Sequence, residues 1–183
     1  MTHSLEGLRA LIFALEEDIN LAICKVNSSG DEFDFYARSY LRALATWIEG
    51  SLWLHEIIVR EVEVDRNTAI PLESQLYLSE YDWKIDSRGK PKKVAKRIPT
   101  KQNLKSFFYV MGQLFECYEA DLGGEGWAAV LHFYELRDRM MHPSGLASLA
   151  FSKPDIQRCD TGRLWLKDEF LEIRKKAVEY MGT

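Results

Sequence analysis

Arg137, Asp138 and His142 lie close together in the run Glu135-Leu136-Arg137-Asp138-Arg139-Met140-Met141-His142-Pro143. These are residue types that act on phosphate esters. A guanidinium can hold a phosphate and offset the charge that builds on it during transfer. An imidazole titrates near neutrality and can take or give a proton. A carboxylate between the two can orient either one.

The element that must position them is a helix predicted from Trp127 to about Met141 and stopped by Pro143. At about 100° per residue, Tyr134, Met141, Val130 and Leu131 cluster around Trp127 and define an apolar face. Asp138 is then expected about 20° from Trp127, inside that face, with His142 at about 60° and Arg137 at about 280° on its flanks. A carboxylate there must be paired or hydrogen-bonded. Asp138 and His142 are four apart and can meet on one face. The C-terminal end of the helix also favours a cation at His142. The same trio fits two plainer roles, a satisfied buried network or an ion pair at a dimer interface.

The remaining chain predicts a mainly α fold, an antiparallel bundle of about five helices in a single domain spanning 1–183. Leu5, Leu8, Ile12, Leu15, Ile19, Ile23 and Val26 alternate steps of three and four and describe a first helix ended by Asn27-Ser28-Ser29-Gly30. Ala37, Tyr40, Leu41, Leu44, Trp47, Ile48, Ser51, Leu54, Ile58 and Val62 stripe a second, from about Phe33 to Val62. Thr100 is placed as the N-cap of a third helix reaching Leu122, and a last helix is expected from about Arg163. Between helices, Leu76-Tyr77-Leu78 and Tyr81 to Asp86 look strand-like, Ser87-Arg88-Gly89-Lys90-Pro91 offers a turn, and Lys92 to Ile98 returns as a second strand. A small β-hairpin or ordered loop is therefore expected near residues 76–98.

That insertion is also the basic part of an acidic chain. Nine basic residues and one acid lie between Lys84 and Lys105, whereas the whole chain carries a formal charge of −4. Lys92, Lys93, Lys96 and Arg97 are the candidates to track an RNA backbone, with Tyr81 and Trp83 placed to stack on bases. A solvated lysine-rich loop, or charges that keep an edge strand from aggregating, is the simpler account of the same residues.

Arg137, Asp138 and His142 resemble the Arg-x(4-6)-His motif of the HEPN superfamily, in which a polar residue follows the arginine. The late helix and the all-helical layout fit that resemblance; the basic insertion is no part of its core pattern. The resemblance implies a metal-independent endoribonuclease of toxin or defence type, needing no cofactor. It would work as a homodimer whose paired motifs form one composite cleft. Histidine would handle the 2'-hydroxyl or leaving-oxygen proton, arginine the phosphate, and Asp138 the orientation of Arg137 or His142. The family also has non-catalytic members that bind a protein partner, nucleotide or RNA, so an antitoxin or another protein partner is a second expectation.

Composition bounds the alternatives. Cys24, Cys117 and Cys159 are far apart and odd in number, without the spacing of a zinc cluster or a disulfide framework. No apolar run is long enough to cross a bilayer and no signal-peptide pattern opens the chain, which predicts a cytoplasmic protein with no membrane association. His55 is expected as a packed or surface residue and His132 as solvent-facing. Gly123-Gly124-Glu125-Gly126 lacks the lysine and the preceding strand of a phosphate loop.

Overall fold

Apolar residues at helical spacing form the framework of a mainly α protein. The computed structural model describes residues 5–66, 71–78, 81–95, 98–115 and 118–182. Among them are α1 (Leu5–Ser28), α2 (Phe33–Arg66), a short α3 (Leu72–Leu78), β1 (Tyr81–Ile85), β2 (Pro91–Ala95), α4 (Thr100–Leu114), α5 (Glu125–Met141) and α6 (Lys153–Gly182). A single 3-10 turn, Leu146–Leu149, lies between α5 and α6. The chain divides into two compact units, residues 1–55 with 121–174, and residues 56–120 with 175–183.

In the first unit, α1 buries Ile12, Ile19 and Val26 on the predicted stripe. The Ser28 hydroxyl donates to the Cys24 carbonyl, and the Ser29 hydroxyl donates to the Val26 carbonyl in the last turn, where helical donors run out. On α2, Ala37, Tyr40, Leu41, Leu44, Trp47, Ile48, Ser51 and Leu54 are buried as their spacing predicts. Trp47 meets Phe170 edge to face at 5.6 Å, and the Tyr40 hydroxyl donates to Asp160 at 3.0 Å, joining α2 to α6. Trp127 meets Trp165 at 6.1 Å, and a Cβ added to Gly162 would lie 2.8 Å from the Val130 nitrogen. Helices α5 and α6 therefore approach nearly to backbone contact at a residue without a side chain.

Helix α6 begins ten residues before the expected Arg163. Ser152 and Asp155 explain why: the Ser152 N–H donates to the Asp155 carboxylate at 3.1 Å and the Asp155 N–H to the Ser152 hydroxyl at 3.2 Å. This reciprocal pair caps the helix, and Pro154 is tolerated in the first turn because its missing N–H has no helical acceptor to lose.

In the second unit, Leu76-Tyr77-Leu78 is helical rather than strand-like. Pro71 opens α3, whose Gln75 N–H reaches the Pro71 carbonyl, and the Tyr77 hydroxyl contacts the Asn103 carbonyl at 3.2 Å and Glu56 at 3.4 Å. Pro99, not Thr100, occupies the N-cap of α4, without a side-chain cap. This helix ends at Leu114 rather than Leu122, because Phe115 turns extended and the chain brings the Tyr118 carbonyl over Gly112. Leu104, Phe107, Phe108, Val110 and Met111 form its buried side.

The expected hairpin is present and slightly shorter. Tyr81 pairs with Ala95, Trp83 with Lys93 and Ile85 with Pro91 in an antiparallel ladder. Asp86 organises the turn, accepting the Arg88 N–H at 2.8 Å and the Lys90 N–H at 2.9 Å on one carboxylate oxygen. Gly89 takes φ +72°, the left-handed position that a three-residue hairpin loop requires.

Candidate functional site

Helix α5 contains the predicted trio, but its buried face is rotated from the expected one. Trp127, Ala129, Val130, Phe133, Tyr134, Leu136 and Met140 are buried. On the same wheel they occupy the half-turn from about 180° to about 360°. Arg137, at about 280°, is therefore the polar residue within the buried arc, and Asp138 lies at its edge. Asp138 has 55% of its side chain exposed and Met141 is 55% exposed, which corrects both placements. The expected phase leaned on Trp127 and on Met141, whereas the larger mass of Phe133, Leu136 and Met140 sets the true one.

Arg137 reaches outward from that arc with its side chain 27% exposed. Its Nη1 lies 3.3 Å from Asp138 Oδ1, and its Nη2 lies 3.6 Å from Glu49 Oε1 on α2. The aliphatic stem covers apolar surface while the guanidinium sits between two carboxylates at the rim. Tyr134 is buried in the same neighbourhood; burial pushes its phenol well above the usual range, with the Arg137 charge acting in the opposite direction. Glu49 was not anticipated, since a glutamate on the polar side of a long helix has no distinguishing sequence signal.

His142 is exposed at the C-cap of α5, with backbone angles outside the helix (φ −125°, ψ 63°). Its backbone N–H donates to the Asp138 carbonyl at 3.0 Å. Pro143 accounts for the backbone angles, because the residue before a proline is driven out of helical geometry. Asp138 pairs through its side chain with Arg137, at 3.3 Å. Chemically, the end of α5 offers an accessible imidazole and a guanidinium oriented by carboxylates.

The basic candidates divide. Lys92 and Lys93 lie exposed on β2, whereas Lys96 and Arg97 fall outside the described residues, as does Cys117. The Lys93 ammonium lies 5.6 Å from the Tyr81 ring centroid and 5.4 Å from that of Trp83.

Two further histidines are more enclosed than expected or fixed by specific partners. His132 meets Asp155 at 3.2 Å with 17% of its side chain exposed, rather than facing solvent. The Ser152 hydroxyl and N–H, more than the histidine, hold the Asp155 carboxyl below its ordinary range despite an opposing contribution from burial. His55 is fully enclosed, with Nδ1 2.6 Å from the Ser51 carbonyl, Nε2 3.3 Å from that of Phe170, and its ring stacked on Phe170. Burial pushes its pKa down to about 4, against the pull of those carbonyls toward the charged form. The Ser152-x-x-Asp155 spacing was the available sequence signal for the first network.

Elsewhere in the first unit, a cavity of about 380 Å³ is lined by Asn27, Phe33, Lys153, Gln157, Asp160 and Leu164, among others. Asp160 is already engaged by Tyr40 and by Arg163 at 2.6 Å. Among the described residues no cluster of His, Cys, Asp or Glu could hold a metal ion, and no helix is long and apolar enough to cross a membrane.

Comparison with protein-family models, with curated proteins and with solved structures gives no match.

Proposed function

We propose that this protein is a HEPN-like, metal-independent endoribonuclease of toxin or defence type, acting as a homodimer with a composite site. The observation that carries this reading is the placement of Arg137 and His142 at the accessible end of α5, with Asp138 paired to Arg137 at 3.3 Å. One exposed imidazole can move only one of the two protons that RNA cleavage requires. A second copy supplies the other. In the proposed reaction the 2'-oxygen attacks phosphorus as one His142 accepts its proton. The P–O5' bond breaks as the other His142 protonates the leaving oxygen, giving a 2',3'-cyclic phosphate and a 5'-hydroxyl. Arg137 offsets the charge on the phosphate, and Asp138 holds its guanidinium.

RNA incubated with the pure 183-residue chain in the presence of a chelator tests the reading. Cleavage is expected, and His142→Ala should lower it by about 10²-fold or more while leaving helical content unchanged. No cleavage by the wild type under any condition, or equal cleavage by the variant, sinks it.

The Arg137–Glu49 pair favours a second reading. Two carboxylates beside one guanidinium reduce its attraction for phosphate, as expected if Arg137 serves to tie α5 to α2. The protein would then be a non-catalytic module binding RNA, a nucleotide or an antitoxin-like protein partner. Arg137→Ala would destabilise such a module, while His142→Ala would leave every interaction intact.

A further inference from the structure

We propose that the exposed face of the β1–β2 hairpin is a stacking platform for single-stranded nucleic acid. This names a substrate class for the protein, yet it stands whether or not Arg137 and His142 cut a strand. Side chains alternate along a strand, so Tyr81, Trp83 and Ile85 share one face with Ala95, Lys93 and Pro91, their cross-strand partners. That face is open: Tyr81 is 48% exposed, Trp83 65% and Ile85 77%. Two aromatic rings and an isoleucine on one side of a two-stranded ribbon form an exposed apolar patch.

Charge identifies the occupant. Lys93 places its ammonium 5.4 Å from the Trp83 ring centroid and 5.6 Å from that of Tyr81, bringing a cation to the aromatic surface. On the reverse face Lys84 stands directly opposite Lys92, with Asp82 two residues along the same face. Arg88 and Lys90 add charge at the tip, while Asp86 is engaged by the turn and Asp82 lies on the reverse face. Aromatic rings ringed by cations fit a polymer whose monomers alternate flat faces with phosphates.

Pairing state follows from stacking. Tyr81 and Trp83 are separated by two residues, about 7 Å along the strand. This is about twice the rise per nucleotide of one stacked strand. Rings at that interval can engage bases of a strand whose own stack is opened. A duplex keeps its base faces covered, and offers the platform only phosphates.

Fluorescence anisotropy of labelled 12-nucleotide rU and dT strands and of a duplex of equal length, titrated with the full chain, tests this. His142→Ala protein run in parallel keeps cleavage from disguising binding, so failure of binding and failure of cleavage are read separately. Both single strands are expected to bind, and the duplex at least 10-fold more weakly. Trp83→Ala should weaken single-strand binding about 10-fold, and Trp83→Phe should restore most of it, separating lost stacking from lost hairpin structure. Lys92→Ala with Lys93→Ala should reduce the slope of log affinity against log salt by about 1.4. Equal affinity for duplex and single strand, or unchanged binding by Trp83→Ala, overturns the proposal. So does binding of phosphatidylserine vesicles with no binding of any oligonucleotide.

Discussion

The position of Arg137 governs how mutations at the candidate site should be read. Because its stem lies in the buried arc of α5, Arg137→Ala removes packing as well as charge, while the exposed His142 can be removed with little structural effect. Glu49→Gln provides a cleaner probe. Releasing Arg137 from one carboxylate is expected to strengthen RNA binding a few-fold at low salt if Arg137 meets phosphate, and a direct titration reads this. An unchanged affinity would assign the guanidinium to the α5–α2 tie. His55 makes a separate pH prediction. Its pKa falls from 6.5 to about 4 on burial, so the unfolded chain takes up protons first as pH drops. Stability present above about pH 6.5 should therefore decline down to about pH 4, by roughly 3 kcal/mol from this group alone. Urea unfolding across that range is expected to show the decline, with a flatter profile for His55→Gln.

Among the elements, helices written as stripes were legible from periodicity, while the phase of α5 and several boundaries were not. Ile12, Ile19 and Val26 on α1 and the α2 stripe from Ala37 to Leu54 are buried as their spacing predicts, while the side chains of Ile58 and Val62 lie outside the described residues. On α5, apolar residues cover so much of the circumference that one aromatic origin could not fix the buried direction. The start of α6 was hidden because Pro154 reads as a break until Ser152 and Asp155 are recognised as a reciprocal cap. Removing that cap with Ser152→Ala should cost about 1 kcal/mol in chemical denaturation. Gly162→Ala should cost more, about 1–3 kcal/mol, because its new methyl would press on the α5 backbone rather than on a movable side chain. The hairpin was legible from its turn and alternation, but the lysine between its two rings required the register to be known.

On the scale of the whole molecule, the chain passes between the two compact units within α2, between α4 and α5, and within α6, at residues 55–56, 120–121 and 174–175. The proposed composite site adds a requirement for a second chain. If both copies of His142 are needed, mixing equal amounts of wild type and His142→Ala, with exchange of subunits, should leave about one quarter of the wild-type activity per site. A value near one half would mean that each copy acts alone. Charge is also distributed unevenly along the chain, with the basic residues concentrated around a hairpin whose broad aromatic side is open. Trp83 is the most exposed of the five tryptophans, while Trp47 and Trp127 are buried. The hairpin thus carries its own optical label: acrylamide should quench the red edge of the emission first, and a ligand seated on that face should shield the same light.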